Sequence, residues 1–282
     1  MLPDRAPDRA PDQVSRPCPD LPVAAPDDSA AFYTGLVAEL YAPLRGSTPD
    51  PAIYERFIRA TGEPALELGC GDGDPLLALR ERGLDVEGLD SSADMLERAR
   101  LQAARCGLAV TLHLGDMRDF DTGRTYRSIY LAGATFNLLP SDSDAVTALT
   151  RIRKHLAADG RALVPLFVPS PVDPAALGAS TEAVLDDGDR ISCTTASVAR
   201  DDAARTQVTR LRYVRDGASG RMEVERDWLL HWFSPSQFAR LAEQAGLAVH
   251  RCAEWDGRPA TDSSTGFAVT LVPSAPSASS AC

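Results

Sequence analysis

The segment Glu67-Leu68-Gly69-Cys70-Gly71-Asp72-Gly73-Asp74-Pro75 constrains this chain more than any other. It joins a short apolar run at 64–68 to a run of helical spacing at 75–82, and so predicts a strand, a tight turn and a helix. Three glycines at alternate positions let the backbone adopt positive φ and come close to a ligand. Asp74 is placed to cap the helix, and Pro75 suits its first position. A glycine-rich turn opening a helix is a general device for binding nucleotides. Spacing narrows the choice, because the dinucleotide pattern G-x-G-x-x-G needs glycine where this chain has Asp74. Glu67, Asp72 and Asp74 would also set like charges around a pyrophosphate. The same acids favour a ligand that carries an amino group and a sulfonium, which describes S-adenosylmethionine and not NAD.

The pattern around this turn sets the fold class. Apolar spacing predicts helices at 31–41, 51–60, 93–106 and 144–156, and strands at 85–89, 109–114, 129–132 and 161–168. Strands alternating with helices imply crossover units, hence an α/β fold. The expectation is a Rossmann-like, seven-stranded, mostly parallel sheet with helices on both faces, preceded by N-terminal lid helices. After Pro169 the rhythm changes to strand-like alternation near 189–198, 205–216 and 221–233, with a hairpin turn at Gly217–Gly220. This is an antiparallel β meander inserted over 170–233 on the acceptor side. A helix at 235–245, capped by Ser234 with Pro235 first and Gly246 beyond its end, leads to closing strands at 247–253 and 266–272. The Pro/Asp/Arg-rich residues 1–30 read as a disordered leader and 273–282 as a flexible tail, which leaves 31–272 as the folded domain.

Acidic and small residues recur where the other strands end. Asp90 closes the second strand 21 residues after Gly69, where a carboxylate can accept from both ribose hydroxyls. Ser91 follows it, and Met95 can set its thioether against an adenine face. Gly115-Asp116-Met117 ends the third strand, with Asp116 placed to accept the adenine amino proton. Gly133-Ala134-Thr135-Phe136-Asn137 follows the fourth strand and leaves room for an acceptor. Together with Gly88-Leu89-Asp90-Ser91-Ser92-Ala93-Asp94-Met95-Leu96 and His155-Leu156-Ala157-Ala158-Asp159-Gly160, these segments resemble the class I S-adenosylmethionine-dependent methyltransferases. In that family the last motif is usually leucine-x-proline-glycine-glycine, and Ala158 and Asp159 depart from it.

The resemblance covers roughly 31–272. It implies that the turn from Gly69 through Cys70 and Gly71 to Gly73, with Glu67 before it, holds the methionine moiety. It gives Asp90 the ribose and Asp116 with Met117 the adenine, while Ser91, Met95 and Gly133 are read from their positions as further residues beside the cofactor. It also implies methyl transfer to oxygen or nitrogen of a small-molecule acceptor, of the natural-product kind made in bacterial secondary metabolism, with S-adenosylhomocysteine as product. Acceptor-side candidates are Tyr33, Phe136, Asn137 and Trp232. Tyr41 and His231 are the candidate catalytic side chains; helix packing is the alternative for Tyr41, and for His231 a half-buried strand position is the first reading and a general base the second. Carbon methylation, an NAD-linked oxidoreductase and a non-catalytic cofactor-binding partner protein remain alternatives.

Composition excludes other classes. With 29 basic against 40 acidic residues the net charge is −11, which disfavours phosphate-tracking nucleic-acid binding. No run of about 18 apolar residues occurs, so no membrane span is expected. Lys154 is the only lysine among the 29 basic residues, which fits a GC-rich bacterial coding sequence. The six cysteines are scattered and no export signal precedes them, so cytoplasmic thiols are expected. The four histidines are isolated, and no metal site is expected. Arg118, Arg210 and Arg212 read as solvated or paired. The meander offers an edge for a second subunit, which allows a homodimer.

Overall fold

The computed structural model describes residues 32–275, and the expected leader, with Cys18 and Cys282, lies outside them. Helices α1 (Leu36–Leu44) and α2 (Pro51–Thr61) precede β1 (Ala65–Leu68) and α3 (Leu76–Glu81). β2 (Val86–Asp90), α4 (Ala93–Arg105), β3 (Leu112–Leu114) and β4 (Tyr126–Leu131) follow. A 3-10 turn (Thr135–Leu138) then leads to α5 (Asp142–His155) and β5 (Leu156–Phe167). Next come β6 (Ser180–Val184), β7 (Arg190–Asp201), β8 (Thr206–Gly217) and β9 (Gly220–His231). The chain closes with α6 (Pro235–Gln244), β10 (Leu247–Glu254) and β11 (Gly266–Pro273).

Seven strands form one sheet in the order β10-β11-β5-β4-β1-β2-β3. β1, β2, β3, β4 and β5 run parallel, and β11 lies antiparallel between β5 and β10. The mostly parallel sheet read from the sequence is therefore present. The order reverses between β1 and β4, and open α/β sheets hold ligands at the strand ends beside such a point. β1 is buried at every position, as a central parallel strand should be. Between the sheet and helices α5 and α6 the core is filled by Phe136, Phe233, Phe238, Leu149 and Ile152.

The meander is a second sheet, in the order β6-β7-β8-β9. β8 and β9 close on a Gly217–Gly220 pair, where the hairpin turn was expected. β6 was not foreseen, because only Ala183 in Ser180–Val184 is even half-buried and no alternation shows. One face of this sheet presents Ile191 and Tyr213 to Phe32, Val37 and Leu40, which ties the N-terminal segment to the insertion.

Several boundaries differ for local reasons. The helix expected from residue 31 starts at Leu36, because Gly35 takes φ 55 and gives its N–H to Asp94 Oδ2 at 2.6 Å. β5 begins at Leu156, five residues early, because Leu156 pairs with Tyr126. β11 runs through Pro273, so that residue belongs to the sheet. Asp74 does not cap α3, since its carboxylate accepts from Arg45 Nη2 at 2.9 Å. The α6 terminus matches its expectation: Ser234 and Gln237 form a reciprocal capping box with Pro235 at the first turn.

Candidate cofactor and acceptor site

A cavity opens where β1, β2, β3 and β4 end, enclosing about 760 Å³ of space that is partly open to solvent. The turn after β1 forms its floor. Leu89 O accepts from Gly69 N at 2.7 Å and Cys70 N at 3.0 Å, and Gly69, Gly71 and Gly73 have φ of 71°, 54° and 98°. A Cβ on Gly69 would collide with the Thr135 methyl group, so glycine is required there by both conformation and space. Gly69 and Gly71 line the cavity, whereas Gly73 packs against Leu77 and Ala99.

Asp90 joins the turn to α4. Its carboxylate accepts from Gly71 N and from Ser92 N, both at 2.8 Å. Burial raises its pKa, and those two N–H groups oppose the rise. Ser91 and Met95 stand beside it on the cavity wall. At the end of β3, Asp116 accepts from Arg118 N at 2.8 Å, Nε at 3.0 Å and Nη2 at 2.7 Å. Burial would raise the Asp116 pKa, but Arg118 outweighs it and holds the carboxyl low. Met117 and Arg118 also face the cavity. Arg118, Arg210 and Arg212 are all paired with acids.

Glu67 lies beneath the turn, fully buried, and is not part of the cavity wall. Tyr130 donates to its Oε2 at 2.7 Å, while Oε1 has no hydrogen-bond partner among the described residues. Burial pushes its pKa up to about 8; the Tyr130 bond opposes this, and Asp74, Asp90 and Asp72 add to it. Asp72 is likewise buried, with Oδ1 held by Arg45 at 3.1 Å and Oδ2 without a partner among the described residues. Arg45 was missed in the sequence because it lies 27 residues from Asp72, beyond any local pattern.

The opposite wall comes from the N-terminal segment and the loop after β4. Tyr33 and Tyr41 meet edge to face with ring centroids 5.5 Å apart, and both line the cavity. Burial raises both phenol pKa values, so each is a neutral hydroxyl near pH 7. Thr135, Leu138 and Leu139 complete the wall. In a 3-10 turn residues i and i+3 eclipse, which sets Thr135 and Leu138 on one face and sends the two between them inward.

That geometry corrects several acceptor-side expectations. Phe136 is fully buried against Phe233 and Phe238. Asn137 is buried too, with Nδ2 donating to Phe167 O at 3.0 Å and His231 O at 2.7 Å, and Oδ1 accepting from Phe167 N at 3.2 Å. It fastens β5 to β9 and cannot reach an acceptor. Trp232 is buried under the Arg200 guanidinium, 4.2 Å from its ring centre. His231 is 2 % exposed, 4.5 Å from the Phe233 ring, with no hydrogen-bond partner for Nδ1 among the described residues and Nε2 3.4 Å from Asp142. Burial, with Arg205 nearby, pushes its pKa down to about 4, which suits a neutral core residue and not a base. Gly133 lies off the cavity, its N–H given to Tyr54 Oη at 3.2 Å, and Cys70 is buried beneath the turn.

The cavity thus offers two carboxylates at adjacent strand ends, two thioethers, and a glycine floor over unpartnered acidic atoms. This suits a cationic nucleoside such as S-adenosylmethionine. The methyltransferase-domain family matches residues 65–160. The dTDP-3-amino-3,6-dideoxy-alpha-D-glucopyranose N,N-dimethyltransferase of Streptomyces fradiae is 30 % identical over 228 residues, spanning 78 % of this chain and 86 % of that protein. The chain belongs to the class I S-adenosylmethionine-dependent methyltransferases. This methyltransferase is also 28 % identical over 185 residues to the dTDP-3-amino-3,4,6-trideoxy-alpha-D-glucopyranose N,N-dimethyltransferase of Streptomyces venezuelae, 65 % of this chain and 75 % of that one. Its fold matches the CcbJ methyltransferase of Streptomyces caelestis with a TM-score of 0.68 at 23 % identity, covering 86 % of this chain and 98 % of the other. The sugar N-methyltransferase KedS8 of Streptoalloteichus sp ATCC 53650 matches with a TM-score of 0.66 at 18 % identity, covering 94 % and 100 %. S-adenosylmethionine is the cofactor, and the oxidoreductase alternative falls.

Proposed function

We propose that this methyltransferase acts on a nitrogen atom of a small-molecule acceptor, an amino sugar carried on a nucleotide being the leading class. The observation that supports it most is the likeness to the Streptomyces fradiae enzyme, whose name describes such an acceptor. In this reading 31–272 is one methyltransferase unit acting in the cytoplasm, with 170–233 as its acceptor-side addition.

Gly69 and Gly71 would present backbone to the methionine end, Asp90 and Ser91 would meet the ribose, and Met95, Asp116 and Met117 the adenine. When bound, the cofactor supplies an electrophilic methyl group on a sulfonium. The chain's own contribution is alignment and dryness. Tyr33 and Tyr41 set neutral phenols into the acceptor wall, and Leu138 and Leu139 keep water from it. Orientation of two reactants is worth roughly 7–11 kcal/mol, whereas a general base adds about 10²–10⁴-fold. The loss of His231 as a base therefore leaves the larger contribution in place.

The test is transfer of labelled methyl from S-adenosylmethionine to nucleotide-linked 3-amino and 4-amino sugars, with their hydroxyl counterparts alongside. Methylation of the amino compounds alone is expected. Transfer to the hydroxyl compounds, or to neither set, rejects the reading. The second sheet ends in edges β6 and β9, where a second copy can add strands. A homodimer belongs to the same proposal, and sedimentation at micromolar concentration tests it.

A further inference from the structure

The strand ends that enclose the first cavity are only part of the sheet's carboxyl rim. β5 ends at Phe167, which pairs with Gly266 at the start of β11, and Phe267 pairs with Glu254 at the end of β10. The rim therefore continues past β4 onto β5, β11 and β10, and a second cavity of about 680 Å³, open to solvent, lies there. Its lining is Phe167, Glu254, Trp255, Asp256, Thr265 and Gly266. Asn137 bonds both the backbone N and O of Phe167, and its neighbour Leu138 lines the first cavity, so the two cavities adjoin through that contact.

Tryptophan is ordinarily well covered in a folded chain, yet Trp255 is 64 % exposed. It is nonetheless seated. A Cβ on Gly266 would collide with Trp255 Nε1 and lie 3.2 Å from each ring atom bonded to it, so the indole edge fills the space a side chain there would take. Phe167 is the second aromatic in the lining, and the two rings make no contact with each other among the described residues, which leaves room for a flat guest. The loop is balanced in charge. Arg258 donates Nη2 to Glu254 Oε2 at 2.9 Å and Nε to Asp256 Oδ2 at 2.6 Å, and Arg251 brings a second cation, its Nη2 reaching Gly257 O at 3.4 Å. A wide, charge-balanced cavity with an open indole suits an uncharged aromatic ring, for which stacking is the main attraction.

We propose that Trp255 is the platform for the base of a nucleotide-linked acceptor. The amino sugar enters the first cavity beside Tyr33 and Leu138, the diphosphate crosses the Asn137–Phe167 contact, and the base stacks on Trp255. This rests on the reading that the acceptor is carried on a nucleotide, and deepens it. Trp255 meets a part of the acceptor remote from the reacting nitrogen, so it contributes affinity and not rate.

Thymidine diphosphate, titrated calorimetrically into the full chain with S-adenosylhomocysteine bound, is the probe. Its binding should weaken by roughly 5- to 100-fold in Trp255→Ala and by much less in Trp255→Phe. Affinity for S-adenosylhomocysteine should stay within about twofold in both, which also reports an intact fold. With the nucleotide-linked amino sugars, KM should rise in Trp255→Ala by a similar factor at nearly unchanged kcat. Thymidine diphosphate that does not bind, or that binds Trp255→Ala as tightly as the unmodified protein, overturns the proposal. So does a Trp255-dependent affinity for the methyl glycoside of the amino sugar, which has no base and would give the cavity to a sugar ring. A lighter sedimenting species in Trp255→Ala would give it to a second copy of this chain and overturns the proposal too. The two readings fail separately. Transfer to the amino sugars without any effect of Trp255 rejects the base site alone, whereas Trp255-dependent nucleotide binding without transfer to nitrogen rejects the nitrogen acceptor alone.

Discussion

The two walls of the cavity are built on opposite principles. The wall proposed for the cofactor is made of strand ends and the turns that directly follow them, and its residues are tied together by hydrogen bonds to the backbone. Asp90, for example, holds both Gly71 N and Ser92 N. The wall proposed for the acceptor is assembled from pieces far apart in sequence: Tyr33 and Tyr41 before the sheet, and Thr135, Leu138 and Leu139 after β4. Behind it stand β9 and β5, joined through Asn137. A wall written in consecutive residues reads as a motif. A wall produced by packing does not, and it can change without disturbing the first. The comparison explains how one fold serves many acceptors with a single cofactor.

Substitutions can break or sharpen that contrast. The largest effect is expected at Gly69→Val, where positive φ and the Thr135 methyl both oppose a side chain. Calorimetry with S-adenosylhomocysteine should show no binding, and retained micromolar affinity would contradict the account of the floor. Asp90→Ala should come next, with affinity weakened by about 10- to 100-fold, matching the roughly 1.5–3 kcal/mol of a charged hydrogen bond. Circular dichroism should show the fold preserved. Tyr41→Phe tests the other wall: turnover should fall severalfold while S-adenosylhomocysteine affinity stays within about twofold. An equal loss in both would place Tyr41 on the cofactor wall instead.

His231→Gln should have the smallest effect on activity, within about twofold, because the ring is in the core. Its signature is in stability. The folded pKa of about 4 lies below the ordinary 6.5, so the unfolded chain binds more protons between those values. Stability from this group is present above pH 6.5 and is lost as pH falls toward 4. Denaturant titrations across that range should show a shallower acid slope in the variant. An unchanged slope would mean that His231 does not titrate as a buried neutral residue.

Much of the architecture was legible because it is local. The strand–turn–helix at 64–82, the alternation through β5 and the capping box at Ser234 each depend on residues within a few positions of one another. The wall proposed for the cofactor was legible for the same reason, as Gly69, Gly71, Asp90, Ser91, Met95, Asp116 and Met117 all line the cavity. The loop after β4 was located correctly but read with the wrong faces. Sequence spacing does not announce a 3-10 turn, and its threefold repeat sends Phe136 and Asn137 inward. Asp74 satisfied the pattern of a helix cap, yet a charged partner from another element outbid the helix N-terminus.

By itself, then, the sequence determined the class of fold, the cofactor turn and the acids at the strand ends, because short-range backbone geometry and charge specify them. Only the tertiary structure decided that Arg45 reaches Asp72 and Asp74, that Glu67 is sealed beneath the turn, and that His231 is core and not base. Burial and the approach of distant segments set those outcomes. Both are properties of packing, which places residues such as Arg45 and Asp72, or Asn137 and His231, in contact across stretches of chain that carry no common pattern.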